Sequence, residues 1–321
     1  MKKIGIIVPC HNEEESLKYF YPAICDVMDK MDNEFELMFI NDGSTDHTLD
    51  VIKEYARKDK RIRYISFSRN FGKEAAILAG LQHVHGDYVT MMDADLQDPP
   101  EKLVVMYDVL IKENLDIVGL KTNDHKNYGI FRKFFTACYY KILGSFTTVP
   151  MAPNERDYRL MTRQVVEAVL SLTEYNRYSK GLFNFVGFDT KWLTYDAPDR
   201  VAGKTKWSFW KLFAYGIDGI VGFSTRPLVL SAIIGVLFCF IAFIMVLVIV
   251  IKTLVWGDPV GGWPSLACII IFVSGVQLFF LGIIGEYLAK TYLETKKRPV
   301  YIMNFVPVLD DKRSFIGLVK R

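Results

Sequence analysis

The sequence has few cysteines and a small net charge, and each of these features excludes certain kinds of site or function. Five cysteines stand in 321 residues with no Cys-x-x-Cys pair, so we expect reduced thiols and neither disulfides nor a zinc site. The 39 basic and 36 acidic residues leave a net charge of +3, which excludes a nucleic-acid binder recognised by charge alone. The cysteines are Cys10, Cys25, Cys138, Cys239 and Cys268.

The usual glycine-rich phosphate-binding motifs are also missing. No Gly-x-Gly-x-x-Gly follows the first apolar run, which weighs against a dinucleotide-dependent oxidoreductase. Gly203-Lys204-Thr205 resembles the end of a P-loop, but Pro198 stands where its first glycine is required. His83 and His85 lie at the end of a predicted helix and are interpreted as surface residues rather than as a metal pair.

Charge is absent from two long apolar runs near the C-terminus. Leu228 to Ile251 has no charged residue, and Ser265 to Gly285 has none and a single amide, Gln277. About 20 helical residues cross a hydrocarbon core of about 30 Å. Because both runs are apolar on every face, we predict two transmembrane helices, at about 228–251 and 265–289 within residues 228–289. Two buried core helices are the alternative.

Basic residues flank this predicted hairpin on both sides. They are Lys204, Lys206, Lys211 and Arg226 before it, and Lys290, Lys296, Lys297 and Arg298 after it. The connecting loop has only Lys252 and Asp258 as charges, and its Trp256 and Trp263 suit a membrane interface. The positive-inside rule therefore predicts that both termini are cytoplasmic. Amphipathic juxtamembrane helices are expected over 204–227 and a cytoplasmic tail over 290–321.

The first half of the chain alternates short apolar runs with amphipathic stretches. Strands are predicted at Ile4–Val8, Phe35–Ile40, Ile62–Phe67 and Tyr88–Met92, and helices at Glu13–Met31, Asp46–Lys58, Lys73–His85 and Pro99–Lys112. Asp98 is the expected N-cap of the last helix. This alternation over residues 1–160 predicts a mostly parallel sheet covered on both faces, and the α/β domain that contains it is expected to span residues 1–203.

Carboxylates follow three of the predicted strands, at the sheet edge where ligands bind in such folds. Glu13 follows the first strand, Asp42 the second, and Asp93 and Asp95 the fourth. An extended backbone would point Asp93 and Asp95 the same way, and the two carboxylates would repel each other unless a cation lay between them. Mg²⁺ or Mn²⁺ is the ion expected for such hard oxygen ligands together with substrate phosphates.

Several motifs together resemble glycosyltransferase family 2, and more closely its bacterial polyprenyl-phosphate glycosyltransferases related to dolichol-phosphate mannose synthase. They are Pro9-x-x-Asn12-Glu13, Asn41-Asp42-Gly43-Ser44-x-Asp46, Asn70-Phe71-Gly72-Lys73, Asp93-Ala94-Asp95-Leu96-Gln97-Asp98-Pro99, Asp157-Tyr158-Arg159-Leu160, Gly203-Lys204-Thr205-Lys206-Trp207, Gly285-Glu286-Tyr287 and Arg298-Pro299-x-Tyr301. The resemblance implies a Rossmann-like GT-A domain and a two-span anchor in the bacterial inner membrane. It also implies a homotetramer.

The activity implied by the resemblance is that of a hexosyltransferase. It would transfer a hexose or N-acetylhexosamine, with inversion, from a nucleotide-sugar such as UDP-glucose or UDP-GlcNAc to polyprenyl (undecaprenyl) phosphate. The nucleotide-sugar would contact Pro9, Asn12, Glu13, Asp42, Lys73, Asp93, Ala94 and Asp95, and the metal would bind Asp93, Asp95 and Gln97. The catalytic residues would be Asp157, Asp95 and Arg159, and the acceptor phosphate would meet Lys121, Arg132, Arg159, Lys204 or Lys206.

Two departures from the family and two rival functions stay open. Asn154-Glu155-Arg156 stands where members of the family usually have small residues, and Lys121 stands where many have an arginine. A lysine cannot make the planar bidentate contact with phosphate that an arginine makes. A lipid phosphate is largely dianionic at pH 7, so Asp157 is either a base or an orienting group. A processive polysaccharide synthase is one rival, although its Gln-x-x-Arg-Trp signature is absent. A catalytically silent membrane scaffold is the other.

Overall fold

The structure is a computed structural model and describes residues 1–123, 154–196, 219–256 and 262–304. Its centre is a seven-stranded sheet. The strands are β1 (Lys3–Cys10), β2 (Glu34–Asn41), β3 (Ile62–Ser66), β4 (Tyr88–Met91), β5 (Ile117–Thr122), β6 (Glu155–Thr162) and β7 (Thr190–Tyr195). They are arranged in the order β3-β2-β1-β4-β6-β5-β7. All neighbours run parallel except those of β6, which is antiparallel to both β4 and β5.

Eight helices connect or follow these strands in the described part of the chain. They are α1 (Glu14–Lys30), α2 (Thr48–Lys58), α3 (Lys73–His83), α4 (Lys102–Lys112), α5 (Arg163–Ser171), α6 (Ser179–Phe185), α7 (Arg226–Trp256) and α8 (Trp263–Thr295). The four predicted strands and four predicted helices of the first half are all present, with ends that differ by a few residues. The predicted α/β class with a mostly parallel sheet is therefore confirmed.

The sheet has a buried core on each face, as expected for parallel strands covered by helices. Along β1, Ile4 and Ile6 pack into a core with Phe20 of α1 and Leu103 of α4. Ile7 points to the opposite face and joins a second core beneath α3, α5 and α6. Because both faces are covered, polar ligands can reach the sheet beyond the carboxyl ends of its parallel strands.

Two details of the local prediction are wrong. Helix α4 begins at Lys102, and Asp98 does not cap it but is 1% exposed and bound to Arg156 and Tyr195. Strand β4 ends at Met91, and residues 94–95 form a turn. The extended backbone expected between Asp93 and Asp95 is therefore not found, because the chain turns immediately after the strand.

Helices α7 and α8 are the two described helices that are long and apolar enough to cross a membrane. The predicted spans lie inside them, and most of their large apolar side chains are exposed. The end of α8 reaches the α/β domain, where Glu294 accepts a hydrogen bond from the Tyr175 amide (2.9 Å). Residues 204–218 of the predicted juxtamembrane segment and residues 305–321 of the predicted tail lie outside the described residues.

Candidate active site

Four strand ends meet at one edge of the sheet, where β1, β2 and β4 end and β6 begins. Cys10 and Asn41, the last residues of β1 and β2, are register partners. Because β6 runs against its neighbours, its first residues reach the same edge as the last residues of the parallel strands. This reversal brings Asp157 to the loops that carry the carboxylates predicted from the sequence.

The loops after β1 and β2 are joined by hydrogen bonds. Asn12 Oδ1 accepts from the Thr45 amide (2.8 Å), and Ser44 Oγ accepts from the Asn12 amide (3.0 Å). The Glu13 amide donates to Thr48 Oγ1 (2.8 Å). Asn12 and Glu13 thus hold the edge of the site in shape. Their predicted contacts with a nucleotide-sugar, and that of Pro9 within β1, stay predictions.

Asp42 binds the loop that leads into α3. Its two carboxylate oxygens accept from the amides of Phe71 (2.6 Å) and Gly72 (2.9 Å), and the residue is 4% exposed. Gly43 has a φ of +59°, and a Cβ there would lie 2.3 Å from the carbonyl carbon of Arg69. The close approach of the two loops therefore requires glycine. The nucleoside contact predicted for Asp42 stays a prediction beside this observed role.

The Asp93–Asp98 stretch forms a compact turn after β4. Asp95 Oδ1 accepts from the Gln97 amide (3.1 Å), and Leu96 has a φ of +57°. The carboxylate of Asp93 binds the ammonium of Lys73, with Nζ 2.8 Å from Oδ1 and 2.9 Å from Oδ2. Ala94 is 3% exposed, so its side chain belongs to the core.

The donor atoms here fit a divalent cation of the Mg²⁺ or Mn²⁺ type. Asp93 and Asp95 offer carboxylate oxygens, and Asp93 already attracts the positive charge of Lys73. The described residues contain no group of three or more His, Cys, Asp or Glu side chains that could hold a metal by themselves. A cation at Asp93 and Asp95 would share its coordination shell with substrate phosphates, as Mg²⁺ commonly does.

Lys73 bridges the two sides of the site. Lys73 is the first residue of α3. Its Nζ contacts Asp93 and also lies 2.6 Å from Asp157 Oδ2. Lys180 of α6 approaches the other oxygen of Asp157 at 3.9 Å and donates to the carbonyl of Glu155 (2.9 Å). The result is a row of alternating charges across the strand ends.

These neighbours determine the ionisation of the Asp157 carboxyl. Burial alone would raise its pKa, but the positive charges of Lys73, Lys180 and Arg159 outweigh burial and hold the pKa well below the usual range. Burial likewise opposes the charge of Lys73, and the two carboxylates reverse that effect and raise its pKa. Both groups are therefore charged at neutral pH.

Arg159 lies two residues further along β6 and is buried. The residue is 1% exposed, and its guanidinium lies over the rings of Phe183 (4.5 Å) and Trp192 (5.5 Å). The acceptor-phosphate contact and the catalytic role predicted for Arg159 stay predictions beside this observed packing, and its positive charge helps to lower the pKa of Asp157.

The other predicted acceptor contacts divide into described and undescribed residues. Lys121, near the end of β5, is the register partner of Glu155 and is half-buried close to the start of β6. Its contact with an acceptor phosphate stays a prediction. Arg132, Lys204 and Lys206 lie outside the described residues.

A cavity of about 540 Å³ opens beside the tips of β2 and β3. Most of its polar lining consists of amides and hydroxyls, among them Asn41, Ser66, Ser68 and Asn304. Reasoning from the sequence missed two residues here, Asn304 in the cavity wall and Lys180 beside Asp157. The motif Arg298-Pro299-x-Tyr301 was a signal for the first, whereas nothing in the local sequence marks Lys180.

Two solved structures resemble the chain remotely. Glucosyl-3-phosphoglycerate synthase from Mycobacterium tuberculosis, in complex with Mn²⁺, UDP and phosphoglyceric acid, aligns with a TM-score of 0.46 at 18% identity over 68% of this chain and 76% of that one. TarS of S. aureus aligns with a TM-score of 0.43 at 18% identity over 61% of this chain and 59% of that one.

Relatives by sequence are much closer and match nearly full length. CsbB of Bacillus subtilis strain 168, a glycosyltransferase by name, is 42% identical over 94% of this chain and 91% of its own length. The bactoprenol glucosyl transferase of Shigella phage SfV is 40% identical over 94% of this chain and 98% of its own length. The prophage bactoprenol glucosyl transferase homolog of Escherichia coli K12 is 38% identical over 95% of this chain and 99% of its own length.

The family comparison agrees with these relatives and with the strand-end motifs. Residues 5–170 match the family described as Glycosyl transferase family 2. That range begins in β1, ends in α5 and contains Asp42, Lys73, Asp93 and Asp157. The chain therefore belongs to glycosyltransferase family 2, has a GT-A fold and is a glycosyltransferase.

Proposed function

We propose that the enzyme transfers glucose from a nucleotide-sugar to the phosphate of a membrane polyprenyl lipid, with inversion at the sugar carbon. The observation that carries this proposal is the Asp93–Lys73–Asp157 bridge. Lys73 Nζ lies 2.8 Å from Asp93, on the proposed diphosphate side, and 2.6 Å from Asp157, on the proposed acceptor side, so one ammonium group connects the two sides. The relatives named as bactoprenol glucosyl transferases support the same sugar and lipid.

On the donor side, the turn after β4 binds the leaving diphosphate. Asp93 and Asp95, with Gln97, are the residues that would hold Mg²⁺ or Mn²⁺, which when bound stabilises the charge that develops on the departing phosphates. Lys73 adds a fixed ammonium beside Asp93. Hydrogen bonds between the loops after β1 and β2 keep this edge rigid, so little reorganisation is needed during the reaction.

On the acceptor side, the nucleophile needs no strong base. A phosphate monoester has a second pKa near 6 and is already an anion at neutral pH. Asp157, whose pKa is lowered by Lys73 and Lys180, is a poor proton acceptor there. The charges thus favour an orienting role for Asp157, which holds two lysine ammonium groups where an anionic acceptor can meet them, with Lys121 nearby.

The two apolar helices give a reason for the lipid acceptor. If α7 and α8 cross the bilayer, the α/β domain stays next to the headgroups, where a polyprenyl phosphate exposes its polar end. The basic flanks of the hairpin support a bacterial inner-membrane protein with both termini and the active site in the cytoplasm. The domain boundaries given above and a homotetramer belong to the same proposal.

We propose UDP-glucose as the donor. The relatives' names give glucose as the sugar, and they give no support to the N-acetylhexosamine alternative. The names do not specify the nucleotide, so the choice of UDP is a separate part of this proposal.

The test incubates the full-length protein in detergent or vesicles with radiolabelled UDP-glucose, undecaprenyl phosphate and Mg²⁺ or Mn²⁺. We expect label in the organic phase, at one sugar per lipid phosphate, and loss of transfer when the metal is chelated. Parallel reactions contain UDP-GlcNAc and GDP-mannose. Asp93→Asn serves as the inactive control, because it weakens both the metal site and the Lys73 bridge.

The rival functions give different results in the same assay. A processive synthase would place label in a polymer that stays out of the organic phase and needs no lipid phosphate. A silent scaffold would give no labelled product with any donor. Either result would overturn the proposed lipid-phosphate glucosyltransferase.

A further inference from the structure

The chain beyond the second apolar helix returns to the sheet and pairs with it. Residues 300–304, called here the return segment, pair with residues 66–68, at the end of β3, the edge strand of the sheet. The Ser68 amide donates to the Ile302 carbonyl (2.9 Å), and the Asn304 amide donates to the Ser66 carbonyl (2.7 Å). Met303 forms an antiparallel bridge with Phe67. The return segment thus covers a strand edge that would otherwise expose its polar backbone.

Tyr301 anchors the return segment. Its ring stacks on Phe67 with the ring centroids 4.8 Å apart, and its hydroxyl donates to Gln82 Oε1 of α3 (2.6 Å). Nε2 of His83 lies 3.3 Å from the same hydroxyl. Val300, Tyr301 and Met303 pack against the core beneath α3. The segment is therefore built into the domain and has a defined position.

Anchoring brings Asn304 into the wall of the 540 Å³ cavity. Its Nδ2 donates to the carbonyl of Phe67 (3.2 Å), which fixes the direction of the side-chain amide. On the adjacent strand, Asn41 Nδ2 donates to Ser66 Oγ (2.9 Å) in the same wall. The volume is within the range of about 300–1,000 Å³ that small-molecule sites occupy.

The chemistry of this wall favours a neutral heterocycle over a phosphate. Amides and hydroxyls both donate and accept hydrogen bonds, as the edge of a nucleobase does, whereas a phosphate is usually bound by cations. Arg69 is the one lysine or arginine among the lining residues described, and its guanidinium lies over the Phe71 ring (4.0 Å). The metal and diphosphate residues, Asp93 and Asp95, are not part of this lining.

We propose that Asn304 is a specificity-determining residue that reads the base of the nucleotide-sugar donor. This inference rests on the proposed function, because it assumes a nucleotide donor. The nucleoside pocket is then completed by a segment that follows the apolar hairpin in sequence. Donor recognition and the hairpin are thereby parts of one continuous stretch of chain.

The test measures equilibrium binding of UDP, CDP, GDP and inorganic pyrophosphate to the full-length protein with Mg²⁺. We expect Asn304→Ala to weaken the preferred nucleoside diphosphate about tenfold and to reduce its preference over the other two, with pyrophosphate binding unchanged. The control is Tyr301→Phe, which keeps the stacked ring, lies outside the cavity lining and should keep the wild-type preference. Asn304→Ser retains a hydrogen-bond donor and an acceptor, so its affinity for the preferred nucleoside diphosphate should lie between those of Asn304→Ala and Tyr301→Phe.

The ratio of affinities for different nucleoside diphosphates distinguishes recognition of the base from a general weakening of the pocket. If Asn304→Ala weakens all three nucleoside diphosphates by one common factor, or leaves them unchanged, Asn304 does not read the base and this inference is wrong. If the wild-type protein binds no nucleoside diphosphate better than pyrophosphate, the donor proposal itself fails and this inference fails with it. Only a changed preference among bases, with normal pyrophosphate binding, supports the assignment.

Discussion

The ammonium of Lys73 lies 2.6 Å from the carboxylate of Asp157, although the two residues are 84 positions apart in the chain. Lys73 also contacts Asp93, so one side chain connects the proposed donor and acceptor sides. The three side chains are between 23% and 34% exposed, which leaves room for substrate to reach them. The bridge is the relationship on which the first two predictions depend.

Removal of the Lys73 charge should impair transfer strongly. Lys73→Met leaves two carboxylates facing each other and an anionic acceptor without its nearest cation. We expect kcat/KM for glucose transfer to fall about 10²-fold, because a partly exposed ion pair contributes less than a fully buried one. The measurement is lipid-extractable label at varied donor and acceptor concentrations.

The matched control for Lys73 is Lys73→Arg, which retains the charge with a different shape and should recover part of the loss. Lys180→Met tests the neighbour at 3.9 Å and should have a smaller effect than Lys73→Met. If Lys73→Met stays within threefold of the wild type, the bridge has no part in the reaction.

The pH dependence of transfer should not report Asp157. In an unfolded chain an aspartate titrates near 3.9, and the folded-state pKa of Asp157 is lower because of Lys73 and Lys180. The stabilising ion pair is therefore complete above about pH 4 and is lost only as the pH falls through the lowered pKa. Between pH 5 and 9 Asp157 stays charged, so the acid limb of the rate profile should follow the acceptor phosphate, near pH 6.

Asp157→Asn should lower the rate at every pH without moving that acid limb. Glu36→Gln, which removes a carboxylate paired with Lys3 (2.7 Å) near the opposite edge of the sheet, should leave the profile unchanged in height and shape. An acid limb that disappears in Asp157→Asn alone would identify Asp157 as a titrating base and contradict the orienting role.

The local part of this architecture follows from the sequence, because each early strand is a short run of β-forming residues between amphipathic helices. Pairing between distant strands does not follow, since the apolar pattern of β6 fits either direction and several neighbours. The position of Asp157 depends on that pairing. The resemblance assigned it to the site, but its contact with Lys73 became visible only in three dimensions.

Other failures of the sequence prediction have local physical causes. Asp98 has the residue type and position of an N-cap, but pairing with Arg156 and Tyr195 satisfies its charge elsewhere. The packing of Arg159 under two aromatic rings was also not predicted, because it depends on strand pairing that the sequence does not reveal. The return segment is too short to show a strand pattern of its own, so Asn304 was not predicted.

Gly43→Ala should weaken donor binding by forcing two loops apart. The added Cβ would lie 2.3 Å from the Arg69 carbonyl carbon, and the positive φ costs a non-glycine residue about 1–2 kcal/mol. Displacement of residues 69–72 would break the hydrogen bonds from Phe71 and Gly72 to Asp42. We expect the donor KM to rise at least tenfold while the acceptor KM changes little.

The control for Gly43 is Gly72→Ala in the same pair of loops. Gly72 also has a positive φ, of +98°, but a Cβ there meets nothing within 4 Å. It therefore carries the backbone strain without the collision. Equal rises in donor KM for both variants would show that strain alone, and not loop contact, explains the effect of Gly43→Ala.

Asp98→Ala should destabilise the fold and slow the reaction together, because Asp98 connects three elements around the site. Its Oδ1 accepts from Arg156 Nε (2.8 Å) and Tyr195 Oη (2.7 Å), and Arg156 directly precedes Asp157. Loss of a carboxylate that is 1% exposed leaves Arg156 without this partner, at a cost of about 3 kcal/mol in the free energy of unfolding. Tyr195→Phe removes one hydrogen bond and should cost about 1 kcal/mol. Thermal unfolding of both full-length variants, measured beside kcat, tests this order; equal small losses of stability would contradict it, since Asp98 would then carry no more than its bond to Tyr195.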